Sequence, residues 1–302
     1  TQMGREERRG GAAIHRGATA MTGGHKYGGR RSAPLIALFL LIASQAWGGP
    51  RADLWERWTA HDPDSRLLID HSAWDGFLQE FLVTDHPSGV NRIDYGAVDA
   101  SGRALLDRYI RDMQGLDIDR YSRNEQLPYW INLYNAVTVA VVLDAYPVRS
   151  IRRIRIGPLL SIGPWDADII TVNGISMSLN DVEHRIIRPI WPDPRIHWVV
   201  NCASYGCPNL RAAALTGENW DSEFEAAAFE FMRHPRAVRF DGDTLWLSSL
   251  FEWYPEDFGD EREIQDTLNY VARYAEPDIA RRVRTHTGRI RYHYDWSLND
   301  TD

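Results

Sequence analysis

One segment of the sequence constrains the fold more than any other. Residues 124–145, which include YWINLYNAVTVAVVL at 129–143, are apolar on nearly every side and end before Pro147. The length favours a helix over a strand, and a helix that is hydrophobic all round is buried by its neighbours. We therefore expect a central buried helix. Asn132 and Asn135 lie three residues apart on one face of it, where their amides need specific hydrogen-bond partners.

The remaining patterns predict a mixture of helices and hairpins. Amphipathic spacing indicates further helices that begin near residues 67, 99, 179, 220 and 261. Ser178, with Asp181 three residues on, resembles a capping box at the start of the third of these. Asn173-Gly174 and Gly242-Asp243 are two-residue turn signals within alternating segments, and short strands are predicted at 196–200 and 290–294. Since strands and helices do not alternate strictly, we expect an α+β fold in which helices pack on a small, mainly antiparallel sheet built from hairpins.

The N-terminal region has the pattern of an export signal. Arg30 and Arg31 precede an apolar run at 34–46, which is followed by small residues and Pro50. This pattern is typical of a signal peptide, and the run is shorter than a membrane span. We expect a leader at 1–48, a linker at 49–65 and a single domain at 66–302. The protein would be exported to a periplasmic or extracellular space, with membrane contact only if the leader stays uncleaved.

Charge excludes some classes of partner. Residues 1–48 carry seven basic and two acidic side chains, which leaves 27 basic and 40 acidic side chains from Gly49 onward, a formal charge of −13. Such a body is a poor nucleic-acid binder because phosphate neutralisation supplies most of that affinity. Lys26 is the only lysine, so a lysine amine cannot act in the body. The expected partner is a small molecule or a peptide.

Polar residues in apolar settings suggest thiol chemistry. Cys202 ends the predicted strand IHWVVNC and enters a turn that contains Gly206. A reactive thiolate needs a base, and the base needs an orienting group. His184, on the predicted helix after residue 178, is the expected base, and Asn132 or Asn135 the orienting group. Backbone amides after Cys202 would stabilise an oxyanion.

Four further residues are candidates for substrate binding. Glu183 precedes His184 and points about 100° away from it on a helix, which suits an amine or arginine of a substrate. Tyr134 and Trp253 would contribute aromatic surface. His197 lies five residues before Cys202, and along a strand the two would face opposite sides roughly 16 Å apart, so they would not form a catalytic pair.

The two cysteines leave other interpretations open. In an oxidising compartment Cys202 and Cys207 would close a disulfide loop and abolish the nucleophile. A zinc site with His184 and His197 is a weaker alternative, since the cysteine spacing is loose and no second cysteine pair exists. No phosphate-binding glycine motif is present, and we expect neither a metal nor a cofactor.

Five ordered blocks carry a resemblance to a known family. They are YWINLYNAVTVAVVL, SLNDVEHRIIR, RIHWVVNCASYGCPNL, LSSLFEWYPEDFG and YDWSLN. Together they resemble the DUF547 family, a domain of unknown function, from about residue 67 to the end. The resemblance implies that the Asn, Glu, His and Cys residues above fall in the characteristic motifs. It also implies a distant likeness to papain-like or transglutaminase-like thiol enzymes, with a permuted order of catalytic residues.

Two functions follow as hypotheses. The first is a thiol-dependent hydrolase or acyltransferase acting on amide or thioester bonds, with Cys202 as nucleophile. The alternative is a non-catalytic periplasmic ligand-binding or assembly module with a structural Cys202–Cys207 disulfide.

Overall fold

The computed structural model describes residues 49–158 and 161–301. The chain divides into two units, Thr1–Ser44 and Gln45–Asp302, and the second contains all the described residues. The predicted leader lies outside them. Within the described residues, no helix is long and apolar enough to span a bilayer.

One long helix of the domain is buried on all sides, as the sequence predicts. This central helix, α3, spans Arg123–Ala145, and its residues from Glu125 to Val142 are all buried. Before it come α1 (Ser72–Phe81) and α2 (Ala100–Gln114). These two helices pack on each other, and α2 also packs on α3. After it come α4 (Arg188–Ile190), α5 (Trp220–Met232), α6 (Leu250–Trp253), α7 (Ile264–Tyr274) and α8 (Pro277–Arg284).

The strands form three small sheets and confirm the α+β prediction. The first two are antiparallel pairs, β1 (Leu82–Val83) with β2 (Arg92–Ile93) and β3 (Ile170–Val172) with β4 (Ile175–Met177). The third has the order β5 (Val238–Asp241), β6 (Thr244–Ser248), β7 (Ile290–His293), in which β5 and β6 are antiparallel and β7 is parallel to β6. Both predicted hairpins form. Asn173 and Gly174 adopt φ of 49° and 75° at the first turn, the left-handed pair that such a tight turn requires.

A wide π-helical segment, Asp181–Ile187, leads into α4 and carries Glu183 and His184. Its start has the reciprocal cap that the sequence predicts. The Ser178 backbone N–H donates to the Asp181 carboxylate at 3.0 Å, and the Asp181 N–H donates to the Ser178 hydroxyl at 3.1 Å. Segments of this kind are frequent at functional sites because the extra residue per turn displaces side chains from regular helical positions.

Two local predictions were wrong. Residues 196–198, the first part of the strand predicted at 196–200, belong instead to a 3₁₀ helix at Pro194–Trp198. Pro194 lacks an N–H, and Asp193 caps the turn by accepting from the Arg195 N–H. Residues 49–65, predicted as a linker, pack on the domain. The Gly49 N–H donates to the Trp253 carbonyl at 2.8 Å, and Trp58 is only 2% exposed.

Candidate active site

A cavity of about 520 Å³ brings together most of the predicted site residues. Six of the eight line it: Tyr134, Glu183, His184, His197, Cys202 and Trp253. They come from α3, the π-helical segment, the 3₁₀ helix, the turn after it and α6. Cavities of this size hold small organic ligands or a few residues of a peptide.

The two asparagines do not belong to this set, which corrects their predicted orienting role. Asn132 Nδ2 donates to the Leu215 carbonyl at 2.7 Å, and its Oδ1 accepts from the Leu215 N–H at 3.1 Å. Asn135 makes the same kind of pair, with the Val199 carbonyl at 2.9 Å and the Asn201 N–H at 2.8 Å. Both amides are consumed in fixing loop backbone against α3. Asn135 thereby sets the position of the chain just before Cys202.

A buried ion network supports one side of the cavity. Arg188, whose side chain is 2% exposed, donates through Nε to Asp257 at 2.6 Å and through Nη2 to Glu256 at 2.9 Å. His197 Nε2 lies 2.6 Å from the same Asp257 oxygen. Burial by itself would raise the pKa of Asp257, but the hydrogen bonds from His197 and Arg188 lower it to about 2. Asp257 is therefore an ionised acceptor at neutral pH.

The ionised Asp257 determines the tautomer of His197. A carboxylate only accepts hydrogen bonds, so the proton between the two groups belongs to His197 Nε2. Nδ1 makes no hydrogen bond to another of the described residues. The ring is held by stacking on Tyr254, with centroids 4.6 Å apart and planes inclined by 16°. A neutral His197 thus carries its basic lone pair on Nδ1, the arrangement of a carboxylate-oriented general base.

His184 has the opposite tautomer. Arg188 Nη1 lies 2.9 Å from His184 Nδ1, and a guanidinium only donates, so Nδ1 carries the lone pair and Nε2 the proton. Burial lowers the pKa of His184 to about 4; the charge of Glu183 opposes this shift and that of Arg188 adds to it. The ring therefore stays neutral at pH 7. This geometry contradicts the predicted role of His184 as the base and makes its Nε2–H a hydrogen-bond donor.

The two cysteines are free thiols in contact with each other. Cys202 Sγ lies 2.8 Å from Cys207 Sγ, 3.2 Å from Ser204 Oγ and 3.0 Å from Tyr294 Oη. Burial raises the pKa of Cys202 well above its ordinary value, and the hydrogen bond with Cys207 adds to this. Burial would also raise the pKa of Cys207, but hydrogen bonds from Cys202 and Tyr294 lower it.

The turn that carries Cys202 is held by the C-terminal segment. The Tyr205 N–H donates to Ser297 and the Gly206 N–H to Asp295, both at 2.8 Å. A side chain at Gly206 would lie 2.8 Å from the Asp295 nitrogen, so only glycine allows this approach. Ala203 adopts a φ of 56°, a left-handed conformation that costs energy for a residue with a Cβ. A non-glycine residue held in this way next to the thiol is typical of functional sites.

The same contacts engage several of the turn amides that were predicted to form an oxyanion hole. The Cys202 N–H donates to Cys207 Sγ at 3.0 Å, and the Ala203 N–H donates to the Asn201 side chain at 2.8 Å. The N–H groups of residues 205 and 206 donate to the C-terminal segment as described above.

Sequence reasoning missed several residues of this site. Asp257, Arg188, Tyr254 and Tyr294 were not among the predicted site residues, and Cys207 was predicted only as a disulfide partner or a zinc ligand. One signal was available, because His184 and Arg188 are four residues apart and therefore neighbours on a helical surface. As for the zinc alternative, no group of three or more His, Cys, Asp or Glu side chains within the described ranges is arranged to hold a metal ion.

The fold and cavity define an α+β protein with a polar site of histidine, carboxylate and thiol groups. The family model of DUF547, described as a protein of unknown function, matches residues 118–232. This region contains Asn132, Glu183, His184, His197 and Cys202 and confirms the resemblance for that part of the chain. No curated protein and no solved structure matches the chain, so the likeness to papain-like enzymes stays a prediction.

Proposed function

We propose that the protein is a thiol-dependent hydrolase or acyltransferase that acts on amide or thioester bonds. The observation that carries this proposal is the 2.6 Å contact between His197 and Asp257 beside the cavity that Cys202 also lines. A histidine oriented by a carboxylate, in one cavity with a thiol, has the parts by which cysteine nucleophiles are activated. Cys202 is the nucleophile, His197 the base and Asp257 the orienting group.

The first half of the reaction forms an acyl-enzyme. His197 Nδ1 accepts the proton of the Cys202 thiol, and the sulfur attacks the substrate carbonyl carbon, so that the C–S bond forms as the carbonyl electron pair moves to oxygen. When the pair returns, the bond to the leaving amine or thiol breaks. The leaving group takes the proton from His197.

The second half releases the acyl group. Water, or an acceptor amine or alcohol in an acyltransferase, attacks the thioester while His197 Nδ1 takes its proton. The C–S bond then breaks and Cys202 regains a proton from His197. The protein is returned to its starting state without an oxidant, a metal or a cofactor.

His184 supplies electrophilic assistance from a side chain. Its Nε2–H faces no acceptor among the described residues, and the Arg188 guanidinium keeps Nδ1 unprotonated. A neutral imidazole N–H in a buried site stabilises a developing oxyanion without giving up its proton. The pKa of about 4 keeps His184 in this state throughout the neutral range.

Acylation by a simple ester tests this proposal. Reduced protein is mixed with 4-nitrophenyl acetate, the burst of nitrophenol is followed, and the acetyl group is located by peptide mass spectrometry. We expect acetylation on Cys202 and none in C202A. H197Q keeps an amide N–H for Asp257 but has no base, so its burst should slow by about 10²-fold or more.

The control for that experiment is H286Q, which replaces a half-buried histidine that does not line the cavity. It should acetylate like the wild type. Absence of acetyl on Cys202 in fully reduced protein would refute the proposal. An H197Q burst as fast as that of H286Q would also refute the assignment of the base.

A second function is favoured by the short distance between the sulfurs. Cys202 Sγ and Cys207 Sγ are 2.8 Å apart, so an oxidising compartment would join them with little movement of the chain. The protein would then be a ligand-binding or assembly module with a structural disulfide. Intact mass of protein isolated from its native compartment separates the two functions, because the bridged form is two hydrogens lighter and has no free thiol.

We also infer that the protein is exported, on the strength of the apolar run and the arginine pair in the leader. Cell fractionation and N-terminal sequencing of the mature protein test this inference. A mature N-terminus near residue 48 and recovery outside the cytosol are expected. Recovery of uncleaved protein in the cytosol would contradict it.

A further inference from the structure

Glu183 is a buried carboxylate without a hydrogen-bond donor. The residue is 8% exposed and lines the cavity, and no donor among the described residues bonds to its carboxylate. The ionisable group within 4.0 Å of it is His184, through Nδ1. That nitrogen carries a lone pair because Arg188 donates to it, so it offers Glu183 no proton. The charge of Glu183 also acts on the Arg188 guanidinium, without a hydrogen bond between the two.

A carboxylate in this state is costly to bury. Burying an ionised group without a partner costs several kcal/mol in a real protein, and this cost is offset only by a cation or by several donors. Two neighbouring hydroxyls, those of Tyr134 and Tyr254, line the same cavity. Burial raises the pKa of both tyrosines well above the ordinary value, and the charge of Glu183 adds to this, so both hydroxyls stay neutral.

Aromatic rings line the same cavity as this carboxylate. The ring centroids of Trp253 and Tyr294 are 4.8 Å apart, those of Trp253 and Trp296 are 5.5 Å apart, and those of Trp165 and Trp296 are 5.6 Å apart. All four residues line the cavity. The negative faces of such rings attract a cation, and their apolar surfaces exclude water from the site.

The other charged groups of the cavity are already engaged. Arg152 lies over the Trp296 ring at 5.1 Å, and Asp166 accepts from Asn180 at 2.6 Å. Behind the wall, Arg188 is neutralised by Asp257 and Glu256. Glu183 is thus the carboxylate of the cavity that is available to bind a cationic group of a ligand.

We propose that Glu183 binds a protonated primary amine of the substrate, with the aromatic rings of Trp253, Tyr294 and Trp296 packed around the chain that bears it. An ammonium supplies three N–H donors, which match the unused acceptors of the carboxylate. As a statement about the substrate, this rests on the proposed function. As a statement about a binding site, it does not depend on catalysis. The substrate class is an amino-acyl or peptide compound that carries a free amine near the bond to be cleaved.

Titration calorimetry with defined amines tests this site in the C202S variant, which has no nucleophilic thiol. L-phenylalaninamide presents an α-ammonium, N-acetyl-L-lysinamide presents a side-chain ammonium, and N-acetyl-L-phenylalaninamide has no charge. At least one ammonium compound should bind about tenfold or more tightly than the neutral compound. Tighter binding of the first or of the second identifies the source of the amine. Equal binding of charged and neutral compounds, or no binding of either amine, would overturn the proposal.

Substitution of Glu183 gives a second readout. E183Q should lose the preference for the ammonium compound and should have a higher Tm than the parent, because an unpaired buried anion is removed. The matched control is D166N, which replaces the exposed cavity carboxylate. D166N should keep the preference. If E183Q kept the preference for the ammonium compound, or had a lower Tm than the parent, Glu183 would not be a cation-binding group.

These results are separable from those of the acetylation experiment. Loss of acetylation on Cys202 with ammonium binding intact would refute the enzyme and leave the amine site. Acetylation of Cys202 without preferential binding of the ammonium compounds would support the proposed reaction and refute the amine site.

Discussion

Replacement of Asp257 by asparagine should destabilise the protein through the two buried groups that it serves. Asp257 accepts at 2.6 Å from both Arg188 and His197, whose side chains are each 2% exposed. Removing one partner of a buried pair costs about 3–5 kcal/mol, because the other charge stays buried. Arg188 keeps its bond to Glu256 at 2.9 Å. We therefore expect D257N to lie at the lower end of that range, near 3 kcal/mol.

The pKa of Asp257 gives an independent magnitude. It falls from 3.8 to about 2 on folding, so the group contributes stability that is present above its unfolded pKa and is lost as pH falls through the folded one. The difference corresponds to about 2 kcal/mol, lost between about pH 4 and pH 2. D257N should lack this part of the acid sensitivity.

Urea unfolding at neutral pH and at pH 3 measures both effects. The matched control is E256Q, which removes the other carboxylate on Arg188. Its side chain is 25% exposed and it has no bond to His197, so we expect a loss of about 1 kcal/mol or less. The gap between wild type and D257N should narrow as pH falls. Equal losses in D257N and E256Q, or a gap that does not change with pH, would refute this account of the network.

Three further predictions concern stability. Burial lowers the pKa of His71 to about 4, against the opposing charge of Asp70. As pH falls from 6.5 to 4, the unfolded state takes up a proton that the folded state does not, so this histidine should lower the free energy of unfolding by about 3 kcal/mol. H71Q should remove this part of the pH dependence of stability. N132A should lower the free energy of unfolding by about 2–4 kcal/mol, because the Leu215 N–H and carbonyl lose their partner, and leave the acetylation rate of Cys202 unchanged; a selective loss of acetylation would restore the orienting role. A Ser178→Ala change should cost about 1 kcal/mol in chemical denaturation by removing the cap of the π-helical segment, and no loss would show that the cap is unimportant.

Patterns that depend on neighbouring residues predicted the fold well. The buried helix, both hairpins and the cap at Ser178 follow from spacing and turn chemistry within a few residues. The 3₁₀ helix at 194–198 was missed because the apolar run IHWVV is equally compatible with a strand. Pro194 and Asp193 decided the outcome through a missing N–H and a side-chain cap.

That one error changed the interpretation of the site. On a strand, His197 and Cys202 would face opposite sides, and this geometry excluded His197 as the base. Without the strand the exclusion has no basis, and both residues line the same cavity. The roles of Asp257 and of Leu215 could not be predicted in the same way. Their contacts join residues 60 and 83 positions apart, which only the folded chain brings together.

The pH dependence of Cys202 alkylation tests the central claim most directly, because it reports the coupling of this thiol to His197 without a substrate. Reduced wild type, H197Q and C207S are treated with iodoacetamide from pH 5 to pH 10, and the modified cysteine is quantified by mass spectrometry. If His197 takes the Cys202 proton, the wild type should react about tenfold or more faster than H197Q near neutral pH, and C207S should keep the fast reaction. Identical profiles for wild type and H197Q would contradict the account, as would a fast reaction that disappears in C207S and persists in H197Q.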